Sequence, residues 1–91
     1  MTAAANLLAG LKIDLGIKTL AYDDRLTAYL SYAQTAIQEE GITLSSSLQD
    51  DQLTIMYAAW LWRRRDSGEG MPRMVRYALN NRLFREKMAD G

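Results

Sequence analysis

The chain has 91 residues, 48 % of them hydrophobic, with 11 cations against 11 acids; that suits one domain with a modest core and is too apolar for disorder. It has no cysteine and no histidine, so disulfides, thiolate chemistry, the commonest metal ligand and the commonest neutral-pH general base are all excluded. The neutral total hides a split, because residues 1–52 carry three cations and seven acids while residues 53–91 carry eight cations and four acids.

The opening MTAAANLLAGLKIDLG has no basic leader and takes on charge by Lys12, so it does not read as a signal peptide. The longest apolar run falls far short of the roughly 20 residues a membrane span needs. Spacing predicts a first helix over about Ala3 to Leu15, with Leu7, Leu8, Leu11 and Leu15 on one face. Gly16 is its natural stop, since glycine takes the left-handed conformation without steric cost. A second helix follows from about Asp24 to Glu40, capped by Asp23 or Asp24. Leu26, Leu30, Ala33 and Ile37 make its stripe, and Tyr29 widens it. Gly41 ends it, and Ile42 stands where a closing apolar contact is usual.

The stretch TLSSSLQDD reads as a turn and a helix start, with Ser47 and Asp50 in a capping spacing. The third helix runs to about Arg65. From Leu53 to Trp62 only Thr54 is polar, and a helix apolar on all sides must be covered on all sides. Either three other helices wrap it closely or a neighbouring subunit covers the remainder, which makes assembly an expectation. Asp66 to Gly70 reads as a loop, and Pro72 fits the first turn of a fourth helix over about 72–88. Met74, Val75, Ala78, Leu79 and Leu83 form its core side, with Arg82 inside that arc. Arg82 can run its stem over the core or pair with Glu86 one turn on. Tyr77 and Phe84 lie on the opposite arc with Arg73 and Asn80. The fold class expected is all-α, a compact bundle of about four short helices in a single domain over residues 1–91.

Three acidic pairs punctuate the chain. Asp23–Asp24 and Asp50–Asp51 stand at helix starts, where acids cap and oppose the dipole. Glu39–Glu40 stands at a helix end, where acids are mildly unfavourable, so either a basic partner or solvent must offset them. Arg63, Arg64 and Arg65 complement the dipole at the end of the third helix. Seven of the eight cations after residue 52 are arginine, the type favoured for planar pairing with carboxylate or phosphate. The candidate interface residues are therefore Glu39, Glu40, Trp62, Arg63, Arg64, Arg65, Arg73, Arg76, Tyr77, Phe84 and Arg85. No catalytic, cofactor or metal-binding set is read, and the chain is expected not to be an enzyme. A competing expectation is a small DNA-binding or regulatory protein reading bases with the fourth helix, which offers Arg73, Arg76, Asn80, Asn81 and Arg85. Overall neutrality and two acids in the loop DSGEGM count against it.

In order and spacing, LLAGLKIDLGI, YDDRLTAYLSYAQTAIQEEGI, DDQLTIMYAAWLWRRRDSGEGMP and RMVRYALNNRLFREKM cover most of the chain. Together they resemble the small helical head–tail connector (adaptor) proteins of long-tailed bacteriophages. The resemblance implies a structural virion protein at the head–tail junction, assembled in the bacterial host cytoplasm, with no cofactor and no membrane. It implies a homo-oligomeric ring, generally twelve-fold, seated beneath the portal protein and offering a seat to a tail-side stopper or tail-completion protein. DNA would pass through the ring without sequence-specific binding. The stretch from about Tyr77 to Gly91 would meet the portal. A ring needs a head-to-tail contact between two different surfaces, and an acidic first part with a basic last part suits one. In this expectation Arg63–Arg65 and the fourth helix of one copy face the acidic ends of the second helix in the next, with the DNA channel a lower-ranked destination for some arginines.

Overall fold

The computed structural model describes residues 4–90. Ala3, expected in the first helix, and Gly91, at the end of the expected portal-facing stretch, lie outside the described residues. Four helices follow in order: α1 (Ala4–Leu15), α2 (Asp23–Glu39), α3 (Leu48–Ser67) and α4 (Arg73–Asp90). The protein is all-α, as expected.

Local chemistry sets most helix ends. Gly16 takes φ +71°, and the N–H groups of Gly16 and Ile17 donate back to the carbonyls of Ile13 and Lys12 at 3.2 and 2.9 Å. That pair of bonds closes α1 and turns Ile17 onto the core. Ser47 caps α3, its hydroxyl accepting from the Asp50 N–H at 3.2 Å. Gly68, at φ +66°, ends α3 with its N–H on the Arg64 carbonyl at 2.8 Å. The start of α2 departs from expectation: Tyr22 holds the cap position and no side chain caps the helix. Asp23 is drawn away by Lys12, whose ammonium donates to it at 2.8 Å. The pair staples α1 to α2 across the turn.

Two apolar clusters meet along α3. The first joins Leu7 and Leu11 of α1, Leu26, Leu30 and Ala33 of α2, and the C-terminal half of α3. The second joins Ile37, Ile42 and Leu53 to Val75 and Leu79 of α4. Tyr57 and Met71 touch both. The expected α2 stripe is buried, with Leu26, Leu30, Ala33 and Ile37 each under 4 % exposed, and of the expected α1 stripe Leu7 and Leu11 are buried while Leu8 and Leu15 are half-buried.

The chain itself covers the over-apolar α3. Leu53, Thr54, Ile55, Ala58, Ala59, Trp60, Leu61 and Trp62 are all buried, and Met56 and Tyr57 are half-buried. The argument for a neighbouring subunit drawn from α3 therefore falls away. α1 and α2 take one side, and α4 with the 68–72 loop takes the other. That loop is held by the Trp60 indole N–H, shared between the carbonyls of Glu69 and Gly70 at 3.3 and 3.1 Å.

α4 is the outlying element. The radius of gyration is 13.1 Å, above the roughly 12 Å expected for this length, because α4 leans on α3 and the end of α2 instead of closing a square bundle. Met74, expected on the core side, is 73 % exposed. The core face of α4 is centred on Val75 and Leu79, and Met74 lies about 100° away from Val75 around the helix. Among the described residues no helix is long and apolar enough to cross a membrane.

Candidate subunit interface

The end of α3 is an arginine cluster laid over aromatic rings. Trp62 is 8 % exposed, with Tyr22 and Tyr29 edge-on at 5.4 and 5.7 Å between centroids. The Arg65 guanidinium covers it at 3.6 Å and donates to the Trp62 carbonyl at 2.6 Å. Trp62, one of the candidate interface residues, is packed into the core of its own chain. Arg65 serves the helix end, as the dipole argument expected, and also roofs the indole. Arg64 lies over Trp60 at 5.0 Å. Arg63 reaches Asp14 of α1 at 3.6 Å, a half-exposed contact. Together with Arg25 of α2, Arg64 and Arg65 line an open recess floored by Tyr29, Tyr32 and Leu61.

The acidic end of α2 is partly answered within the chain. Arg76 of α4 meets Glu40 at 3.6 Å, which offsets the unfavourable acid at that helix end. Glu39 stays exposed beside Tyr32 and Thr35. Of the remaining candidates, Arg85 donates to the Gln49 side chain at 2.5 Å. Arg73, Tyr77 and Phe84 are exposed on the outer side of α4. The arginines are therefore not gathered into one basic face. They split between the α3 end, two tethers of α4 and the exposed Arg73.

A further site was not expected from the sequence. Asp50 is 2 % exposed and sits under Arg82 of α4, which donates from Nε at 2.7 Å and from a terminal nitrogen at 3.4 Å. Arg82 also donates to Glu86 at 2.9 Å and to the Thr43 carbonyl at 2.7 Å. The Ser45 N–H and hydroxyl both donate to Asp50, at 2.8 and 2.9 Å, and the Thr43 N–H donates to Glu86 at 3.1 Å. No buried side-chain nitrogen or oxygen among the described residues is left without a partner. The helix-start position of Asp50 predicts a cap acid. Asp50 occupies the capping spacing, but its carboxylate turns to Ser45 and Arg82. The available signal was Arg82 itself, a cation set inside a core arc. No local spacing names a partner 32 residues away.

Burial works to raise the Asp50 pKa, yet the Arg82 and Ser45 hydrogen bonds and the Arg82 charge outweigh it and hold the carboxyl below its ordinary 3.8. Glu86 is held below its ordinary 4.5, first by the Thr43 N–H. A carboxylate with a depressed folded pKa stabilises the fold above its unfolded pKa, and that contribution is lost as pH falls through the folded value. Thermal stability is therefore expected to hold above the ordinary carboxylate range and to decline as pH falls below about 4. A melting series in which Glu86→Gln flattens that decline checks it, and an unchanged slope would count against the network.

The chain matches no family model, no curated protein and no solved structure.

Proposed function

We propose that this chain is a structural connector of a phage head–tail junction that joins a ring on the portal. The observation that carries the reading is the separation of two oppositely charged surfaces along α2. The recess of Arg25, Arg64 and Arg65 lies toward its start, and the acids Glu39 and Glu40 lie at its end. Fourteen residues from Arg25 to Glu39 span roughly 21 Å of helix. The two patches adjoin at Tyr32 along one face of α2, and each is complementary to the opposite patch of a neighbouring copy, a pairing that a head-to-tail contact can use. The order and spacing of the four segments supply the phage context.

The competing role for α4 as a DNA reader has less to work with. Arg76, Arg82 and Arg85 are each engaged within the chain. Apolar Met74, Tyr77, Phe84 and Met88 dominate the exposed face.

Co-expression with the portal protein of the same genome, followed by electron microscopy of the purified complex, tests the connector reading. A ring of this chain seated on the portal is expected. Arg64→Glu is expected to deplete that ring while leaving the isolated chain folded, since the side chain is exposed and a lone cation–π contact there contributes about 0.5–1 kcal/mol. Arg65 is the wrong residue for this purpose because it roofs Trp62. Failure of the unaltered chain to associate with the portal would sink the reading.

A further inference from the structure

We propose that the outer face of α4 is a docking surface for one amphipathic helix of a different protein, apolar along its contact stripe and acidic along its flanks. The inference uses only this face and stands whether or not the chain is a connector.

α4 carries two apolar faces, and the fold uses one. Val75 and Leu79 are buried. Across the helix, Met74, Tyr77, Phe84 and Met88 are exposed by 73, 59, 65 and 66 %. With Asn81 they fall at i, i+3, i+7, i+10 and i+14, the a and d positions of successive heptads. The seam runs straight along roughly 21 Å of helix. Such a repeat is not needed to cover the bundle, which lies on the opposite side. It is the pattern that receives a second helix by knobs into holes. Asn81 falls at the central a position, where a lone polar residue sets register and helix number at some cost in stability. The partner is therefore expected to place a polar side chain opposite it.

The rim decides the partner's charge. Arg73 and Lys87 flank the seam on one side and Arg85 on the other, the last donating to the neutral Gln49 amide and so keeping its charge, and no acid of α4 flanks the seam. A second α4 laid antiparallel would set Arg73 against Lys87, and a parallel one would supply no opposite charge. Elsewhere on the chain, the exposed large apolar residues stand apart. Ile13 is on α1, Leu20 and Tyr22 are in the following connection, Tyr32 is on α2, and Leu48 opens α3. Among the described residues no other helix shows a matching stripe, so another copy offers no helical counterpart. A helix with glutamate or aspartate at its flanking positions satisfies both seam and rim.

The test is a titration of the full chain with a synthetic three-heptad peptide. It carries Leu at a and d, one Asn at the central a, and Glu at every e and g. Its own glutamates oppose self-association, so helical circular dichroism appears only on binding. Binding is expected, with a matched Lys-flanked peptide weaker by roughly tenfold or more because three rim contacts change sign. Phe84→Ser is expected to weaken the Glu peptide by roughly tenfold with an unshifted melting temperature, since Phe84 lies outside the core. Three results would each overturn the proposal: equal affinity for the two peptides, binding unmoved by Phe84→Ser, or no binding. Sedimentation of the unaltered chain as a dimer that Phe84→Ser abolishes would also overturn it, by assigning the face to a second copy.

Discussion

Asp50→Ala is expected to destabilise the fold by about 3–5 kcal/mol. Loss of the acid leaves Arg82, with a side chain only 15 % exposed, facing a gap where its carboxylate stood. It also releases the Ser45 donors that the same carboxylate gathers. In a domain of this size each kcal/mol moves the melting temperature by about 4–8 °C, so a fall of at least about 12 °C is expected by scanning calorimetry. The effect is large because of what the network joins. Among the described residues α4 buries Val75 and Leu79 alone, each contributing about 1.5–3 kcal/mol. The Asp50–Arg82 pair, with Glu86 and the Thr43 backbone, ties that thin contact to the start of α3 and to the 42–47 turn.

A double replacement separates pairing from packing. Asp50→Leu combined with Arg82→Met removes both charges and keeps apolar volume. It is expected to recover most of the loss, because removing a buried pair together is much less costly than orphaning one member. Arg82→Met alone is expected to resemble Asp50→Ala, since Asp50 would then be a buried acid without its cation. Should Asp50→Ala melt within about 2 °C of the parent, the pair would be a bystander and α4 would be held by apolar contact alone.

The second large effect concerns Trp62. Trp62→Ala is expected to cost about 3–5 kcal/mol, the usual range for emptying a buried aromatic site. Three neighbours lose their seat at once: the Tyr22 and Tyr29 rings and the Arg65 guanidinium. Trp62→Phe keeps part of the edge-on packing and is expected to cost less. The loss should appear in chemical denaturation of the isolated chain, with no partner present. Were Trp62 an anchor for another subunit, the isolated chain would keep its stability and only assembly would suffer. Near-parental stability of Trp62→Ala would therefore favour the interface role and contradict the packing of Trp62 under Tyr22, Tyr29 and Arg65.

The contrast between Trp62 and Phe84 shows where sequence reasoning is strong and where it stops. Both are aromatics beside arginines. Phe84 sits on a helix with a clear core face, so its place on the opposite arc could be counted from the 3.6-residue period. Trp62 sits on a helix apolar all round, where the period carries no information about which side is covered. The same ambiguity produced the expectation of a subunit over α3. Only the positions of α1, α2 and the 68–72 loop resolve it.

Acids and cations divide in the same way. Asp23 and Asp50 both stand at helix starts, and the dipole argument treats them alike. Folding sends Asp23 to Lys12 and Asp50 to Arg82 and Ser45. In each case a charge-assisted bond to a cation from another helix takes the carboxylate away from capping, while Ser47 still caps α3.

The amino-acid order alone gave the number of helices, their spans to within a few residues, the Gly16 and Ser47 boundary signals and the buried stripes of α1 and α2. Each depends on interactions within a few residues, so local periodicity and capping chemistry suffice. The roof over Trp62, the Arg76–Glu40 tether and the Asp50–Arg82 clamp join residues from different segments or turn on which surfaces are covered. Helical periodicity says which side chains share a face, and packing in three dimensions says what that face meets.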